Sequence, residues 1–391
     1  MSDAMQDDME LPVVRSLLVK YDGRLVGTLA ETTEGVVAFE YDRSWLGDGF
    51  PISPLSLPLR SGVFLPGFQP FEGLFGVFSD SLPDGWGRYV LDRMLQRHGV
   101  KVDALSQLQR LAVVGSSGMG ALSYEPELDL SVASQELDLD ALAAECKSLI
   151  DTREAADVDE LFLLGGSSGG ARPKVLVESE GEDWIVKFPA SMDQADIGVM
   201  EYDYAQAAQA CGIEMPEVRL FDSKTGPGYF GVRRFDRLRS EDGSIHKRHM
   251  ISASALLETS HRVPSLDYQA LATLTLRLTD DFSELQKLYR LMCFNVLAHN
   301  RDDHSRNFSF LYDDDTQRYR LSPAYDLTYS VGMGGEHATT VNGKGRGITE
   351  EDLFDAGRAF GLDTKICSKI IDTVATVAVP LVRKWSGSVR V

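Results

Sequence analysis

Residues 291–329 read LMCFNVLAHNRDDHSRNFSFLYDDDTQRYRLSPAYDLTY, and the rest of the chain is organised around them. The apolar run LMCFNVLA reads as the end of a helix. It stops at a polar cluster that holds Asp302, Asp303, His304 and Asn307. NFSFLY then reads as a strand, Asp313–Asp315 as an acidic turn and YRLSP as a second strand, with Asp326 just beyond. The order is helix, loop, hairpin, acid.

Phosphoryl transfer needs this set of groups. A carboxylate must orient the attacking hydroxyl. Oxygen ligands must hold Mg²⁺, which takes one or two protein carboxylates and completes its shell with phosphates and water. Asp302, four residues, then Asn307 reproduces the spacing of the kinase catalytic loop. Asp326 stands where kinases place a second metal-binding acid, although Tyr325-Asp326-Leu327 replaces Asp-Phe-Gly. Asp and Asn are also ordinary turn residues, so this spacing alone decides little.

The wider string decides more. DDHSRNFSFL followed by LSPAYDL resembles the catalytic loop and metal-binding segment of the HipA family, protein serine/threonine kinases that act as toxins of toxin–antitoxin pairs. The resemblance implies an α+β, kinase-like two-lobed fold with a small N-terminal α+β subdomain and a mainly helical C-terminal lobe. It implies ATP and Mg²⁺ as cofactors and a protein substrate, in the family a translation factor such as an aminoacyl-tRNA synthetase. It also implies a cognate DNA-binding antitoxin of the HipB type, with DNA met only through that antitoxin. Asp302 would accept or orient the hydroxyl proton, and Asn307 and Asp326 would hold the metal. His304 would point at the nucleotide phosphates or hydrogen-bond within its loop. Asp303 stands where the family pattern has Gly, which leaves two adjacent acids as candidates for the base.

Upstream, DWIVKF (183–188) reads as a strand with Lys187 near its end, and VMEYDYAQAAQACG as a helix carrying Glu201 and stopped by Gly212. Kinases pair a strand lysine with a helix glutamate, and these two have the right order and spacing. An edge-strand lysine and a solvated glutamate are the plainer alternatives. Between them and the chain start, ELFLLGGSSGGARPKVLVE (160–178) carries Gly165, Gly166, Gly169 and Gly170. Such glycines let backbone N–H groups approach phosphate. The loop lacks the G-x4-G-K-[ST] of a P-loop. In the family the corresponding loop lies over ATP and carries an autophosphorylated serine. Matching GARPK places it at Ser167, with Ser168 as the alternative. GYFGVRRFDRL resembles the family's hinge, with Arg234 and Phe235 offering backbone groups to adenine, and Asp236 facing the ribose or a structural arginine. SLPDGWGR (81–88) looks like the signature of the family's N-terminal subdomain.

Other stretches read as structure. SLLVKY, Asp22-Gly23 and RLVGTL make a hairpin, with VVAFEYD as a third strand. QLQRLAVVGSSGMGALSYE (107–125) holds a second Gly-rich loop, read as a tight connection. Residues 240–270 read as a variable loop, and Thr349-Glu-Glu-Asp352 as a capping box with Asp in place of Glu. Lys344 and Arg346 face a partner, a phosphate or solvent. The expected domains are 1–125, a linker and boundary helix at 126–158, a nucleotide-binding lobe at 159–236 and a helical catalytic lobe at 237–391.

At 391 residues the chain has ample length for several cores, and its 43% hydrophobic content is ordinary for a globular protein. A net charge of −20 argues against stand-alone binding of nucleic acid, and the short basic spot HKRH (246–249) does not reverse it. The four cysteines are far apart and form no C-x-x-C, so neither zinc nor a disulfide framework is indicated. No apolar run approaches the roughly 20 residues that span a bilayer, and the acidic start lacks a signal core. The cytoplasm, with no membrane partner, is the expected address. Two other functions remain open: a kinase-like co-repressor that partners a DNA-binding antitoxin, and a small-molecule kinase.

Overall fold

The computed structural model describes residues 11–128, 138–153, 155, 158–165, 169–240 and 242–387. The chain divides into two compact units, one of 1–193, 223–225 and 236–249, the other of 194–222, 226–235 and 250–391. Helix and sheet are mixed in both, as the α+β expectation requires.

The first unit opens with an antiparallel sheet in which Val63–Phe64, Val37–Tyr41, Arg24–Glu31, Ser16–Tyr21 and Leu122–Glu125 lie side by side. The first hairpin turns at Asp22 and Gly23, both at positive φ, the geometry that matches strand twist. Leu17, Val19, Leu29 and Phe39 alternate inward and are essentially buried, joined by Trp45 and Phe78. Helix Gln107–Val114 starts with a capping box, Ser106 with Gln109. The Gly-rich segment after it is structural, as expected: Arg237 donates to the C=O of Gly118 and Gly120 at 2.8 Å each.

Within the stretch expected as a linker and boundary helix, residues 138–153 belong to this unit. Helix Leu139–Thr152 buries Leu142, Cys146 and Leu149, and the Leu149 C=O accepts the Tyr89 hydroxyl at 3.0 Å. Burial drives the Cys146 thiol up to about 12, so it stays protonated and packs as a small hydrophobe. Helix Val158–Gly165 follows, then the hairpin Lys174–Ser179 and Glu182–Lys187. Residues 240–270 are not a plain loop either. Ile245–Lys247 pairs with Arg237–Arg239, and Met250–Ser252 joins a sheet of the second unit. Strands of three residues carry too little alternation to be read alone, and their sheet partners decide them. The basic spot is likewise tied down: His246 pairs with Asp22 at 3.3 Å, Lys247 donates to Ser116 O, and buried His249 meets Ile52 O at 2.8 Å.

In the second unit, helices Tyr268–Thr279, Phe282–Leu297, Glu350–Ala359 and Thr364–Trp385 enclose Tyr289, Phe294, Cys293 and Val374. Gly357 permits the tightest crossing, since a Cβ there would lie 2.4 Å from Cys367 Sγ and 3.0 Å from the Tyr289 ring. Against this bundle lies the sheet of Met250–Ser252, Ser309–Asp313 and Arg318–Leu321.

The capping box at Thr349 is present with Asp at N3. The Asp352 carboxylate accepts Thr349 N–H at 2.8 Å and Lys344 Nζ at 2.6 Å. Lys344 is thus an intramolecular partner, and Arg346 leans toward Glu336 at 3.6 Å. The Lys344 bond, then the Thr349 N–H, hold the Asp352 carboxyl down at about 2. A folded value below the unfolded one, ~3.9, means the stabilisation is present above the unfolded value and is lost as pH falls through the folded value. Asp352→Asn should therefore be less stable than wild type in urea at neutral pH, and the gap should close as pH falls from about 4 to about 2. A gap constant across that range would contradict the assignment.

Candidate active site

The helix Phe282–Leu297 delivers the chain to the polar cluster. It ends on Ala298, whose C=O accepts the buried Tyr204 hydroxyl at 2.7 Å. His299 takes positive φ, +54°, and turns the chain out of the helix. Burial, then the Arg301 charge, lower the His299 pKa, so its imidazole is neutral at ordinary pH.

The two adjacent acids sit in opposite environments. Asp303 is 1% exposed. Its Oδ2 accepts the Tyr268 hydroxyl at 2.8 Å and meets His337 Nδ1 at 3.0 Å. Its Oδ1 accepts the N–H groups of Ala338 at 2.9 Å and Thr339 at 3.2 Å. The Thr339 hydroxyl donates to its C=O. Behind Tyr268 the network continues: Asn295 Nδ2 donates to the phenol oxygen at 2.9 Å, and Asn300 Nδ2 to Asn295 Oδ1 at 3.0 Å. Burial, then the Asp303 charge, push the Tyr268 phenol well above its ordinary value, so it remains a donor. Asp303 is a brace, whereas Asp302 beside it is exposed.

Around Asp302 the loop is preset. Asn307 Nδ2 donates to the Asp302 C=O at 2.8 Å, which fixes the orientation of its amide. The His304 ring lies 5.2 Å from that of His261, tilted by 51°, and its buried Nδ1 has no hydrogen-bond partner. Its internal-bond alternative therefore has no support at that atom. Asp326 is half-buried with φ +57°, a conformation few non-glycine residues adopt, and Asp is among those that tolerate it. Tyr325 fixes the backbone beside it, sharing a 2.6 Å bond with Ser309 Oγ and reaching Arg306 O at 2.7 Å. The Phe235 ring lies 5.8 Å from Tyr325, with Arg234 buried beside it in sequence. Glu201 is 3% exposed on helix Ile197–Ala210. Gly198 lets that helix approach its strand pair, since a Cβ would stand 2.7 Å from Gly228 O.

The remaining candidates belong to the first unit. Lys187 ends its strand half-buried. Gly169 and Gly170 are described, whereas Gly166, Ser167 and Ser168 lie outside the described residues. Asp236 takes the structural of its two expected roles: 1% exposed, it accepts Gly120 N–H at 2.8 Å and Arg237 Nη1 at 2.7 Å. Arg172 and Lys174 are also engaged, with Asp193 at 2.9 Å and with Gly169 O.

Residues 17–125 match the HipA N-terminal domain and residues 166–381 the HipA-like C-terminal domain. The chain belongs to the HipA family. Among its relatives, “Putative kinase Y4dM” of Sinorhizobium fredii is 25% identical over 85% of this chain and 81% of its own length. “Putative kinase Y4mE” of the same organism is 28% identical over 81% and 78%. The fold is similar to that in a Shewanella oneidensis MR-1 complex of HipA, HipB and operator DNA, with TM-score 0.70 at 18% identity over 96% of this chain and 92% of that one.

Within this HipA chain the donors suit a nucleotide and a hard cation. Asp326 and Asn307 offer oxygen, the atom Mg²⁺ prefers. The orphaned His304 Nδ1 suits a phosphate oxygen. Among the described residues no three of His, Cys, Asp and Glu converge as a metal cage. What the sequence did not reveal is the brace of Tyr268, Asn295, Asn300 and His337. Its one legible trace is Asn295, a polar residue inside an apolar helical run. Asp303→Ala should strand those donors and cost about 3 kcal/mol or more in urea unfolding, whereas Asp302→Ala should cost less than about 1 kcal/mol. Equal costs would refute the division of roles.

Proposed function

We propose that this HipA-family chain is an ATP- and Mg²⁺-dependent protein serine/threonine kinase. The observation that carries the reading is the sorting of the acid pair, Asp303 buried as a brace and Asp302 exposed beside Asn307. Asp302 orients the attacking hydroxyl of a serine or threonine and accepts its proton. Asn307 Oδ1 and the Asp326 carboxylate hold Mg²⁺, which neutralises charge on the phosphates. His304 donates to a phosphate oxygen. Lys187 takes the part of the kinase strand lysine, and buried Glu201 that of the helix glutamate. Backbone groups of Arg234 and Phe235 meet adenine. Autophosphorylation at Ser167, or at Ser168, inactivates the kinase, because a modification of about −1.5 to −2 charge beside ATP phosphates drives the glycine loop out.

The likeness to a fold seen with HipB and operator DNA supports a DNA-binding antitoxin of that type as partner. With a net charge of −20, the chain meets DNA only through it. Four buried free cysteines suit a reducing cytoplasm, and no helix among the described residues is long and apolar enough to cross a membrane. The substrate is a cellular protein of the translation machinery, such as an aminoacyl-tRNA synthetase.

Incubation with ATP and Mg²⁺ should add one phosphoryl mass to the purified protein, on a peptide containing Ser167 and Ser168. Asp302→Asn should slow that gain by about a hundredfold or more while ATP binding survives. Asp326→Ala should weaken ATP binding only when Mg²⁺ is present, read by calorimetry. Wild-type rates in Asp302→Asn would sink the mechanism.

A further inference from the structure

The turn Asp84-Gly85-Trp86 lies in the N-terminal signature SLPDGWGR, to which the proposed reaction assigns no role. It meets the exit of the glycine loop, within the same unit. The Asp84 carboxylate accepts the N–H of Gly170. The Trp86 N–H donates to the C=O of the same residue at 2.9 Å. Both backbone polar groups of Gly170 therefore end on one turn.

The helix that starts there is capped in an unusual way. Asp84 is the N-cap of Gly85–Arg97, a place where Asp ordinarily accepts an N–H of its own first turn. Here it makes no such bond. Its carboxylate reaches the glycine loop instead, and the loop returns a carbonyl to the second helical N–H. The exchange replaces a local cap by a contact between segments far apart in sequence.

Sterics enforce the match. Gly85 has φ +44°, and a Cβ on it would stand 2.6 Å from Gly170 O and 3.0 Å from Ala171 Cα. Gly170 has φ +94°, and a Cβ there would lie 2.5 Å from Lys174 Nζ. Lys174 is buried and donates to Gly169 O, fixing the preceding peptide. Two successive loop peptides are thus held from both sides, immediately after Ser167 and Ser168.

We propose that this turn is a latch on the glycine loop, with Asp84 as its positioning residue. The latch sets the backbone of Gly169 and Gly170 for phosphate. This consequence for nucleotide rests on the kinase reading above, whereas the latch itself does not.

The test uses three full-length variants and hydrogen exchange by mass spectrometry without nucleotide. Asp84→Ser keeps a side chain that caps its own helix and is too short to hold Gly170. Asp84→Asn keeps an acceptor at the same reach. Asp84→Ala removes both functions. Peptides covering 169–175 should exchange at least about tenfold faster in Asp84→Ser and Asp84→Ala, the effect of losing one hydrogen bond to a charged group. In Asp84→Ser the peptides of 85–97 should stay protected, which separates the latch from unfolding of the helix. Asp84→Asn should remain close to wild type. Unchanged exchange of 169–175 in Asp84→Ser overturns the latch. ATP affinity, read by calorimetry, should fall by a similar factor in Asp84→Ser. Faster exchange with unchanged ATP affinity overturns the positioning role. Absence of ATP binding in wild type sinks the kinase reading, and exchange then decides the latch alone.

Discussion

A carboxylate sealed from water is tolerable only where donors surround it, and the second unit is arranged to supply them to Asp303. Tyr268 and His337 meet one oxygen, and two consecutive backbone N–H groups meet the other. These donors come from the start of helix Tyr268–Thr279 and from residues 337–339, while Asn295 supports Tyr268 from helix Phe282–Leu297. One charge therefore ties three remote segments to the loop that bears Asp302 and Asn307. Loss of any donor would leave the others facing a less satisfied anion, which is the usual reason buried polar networks behave as units.

The brace also explains why two acids stand side by side. Consecutive residues of an extended chain point to opposite sides. Once Asp303 points inward, Asp302 is turned toward solvent. Asp303, which departs from the Gly of the family pattern, adds an anchor. The same division recurs at the Tyr325-Asp326 pair. Tyr325 is fixed by Ser309 and the Arg306 carbonyl, and Asp326 is presented in a left-handed conformation that the fixed neighbour helps to hold.

In the first unit the corresponding theme is glycine where backbones touch. Gly85 and Gly170 approach within a distance that forbids any side chain, and a carboxylate and a lysine hold the glycines on either side. A loop rich in glycine has many conformations to lose, and external bonds select one of them. A signature at residue 84 and a loop at residue 170 become parts of one local structure.

The sequence alone carried the mixed α+β class, the first hairpin with its Asp22-Gly23 turn, the capping box at Thr349, and the string DDHSRN with Asp326. These depend on residues close together in the chain, where turn chemistry, alternation and motif spacing act directly. It did not show that 139–152 packs into the first unit, because a helix displays its apolar face without naming its partner. It did not separate Asp302 from Asp303, since two identical side chains differ only by the donors that reach them, and those donors come from residues 268, 295 and 337–339. Nor did it show that Asp236 accepts from Arg237 and Gly120. Local chemistry wrote the motif; which acid is buried, which is exposed and what holds the glycine loop were decided by contacts between segments up to a hundred residues apart, because burial and hydrogen-bond partners exist only once the chain is folded.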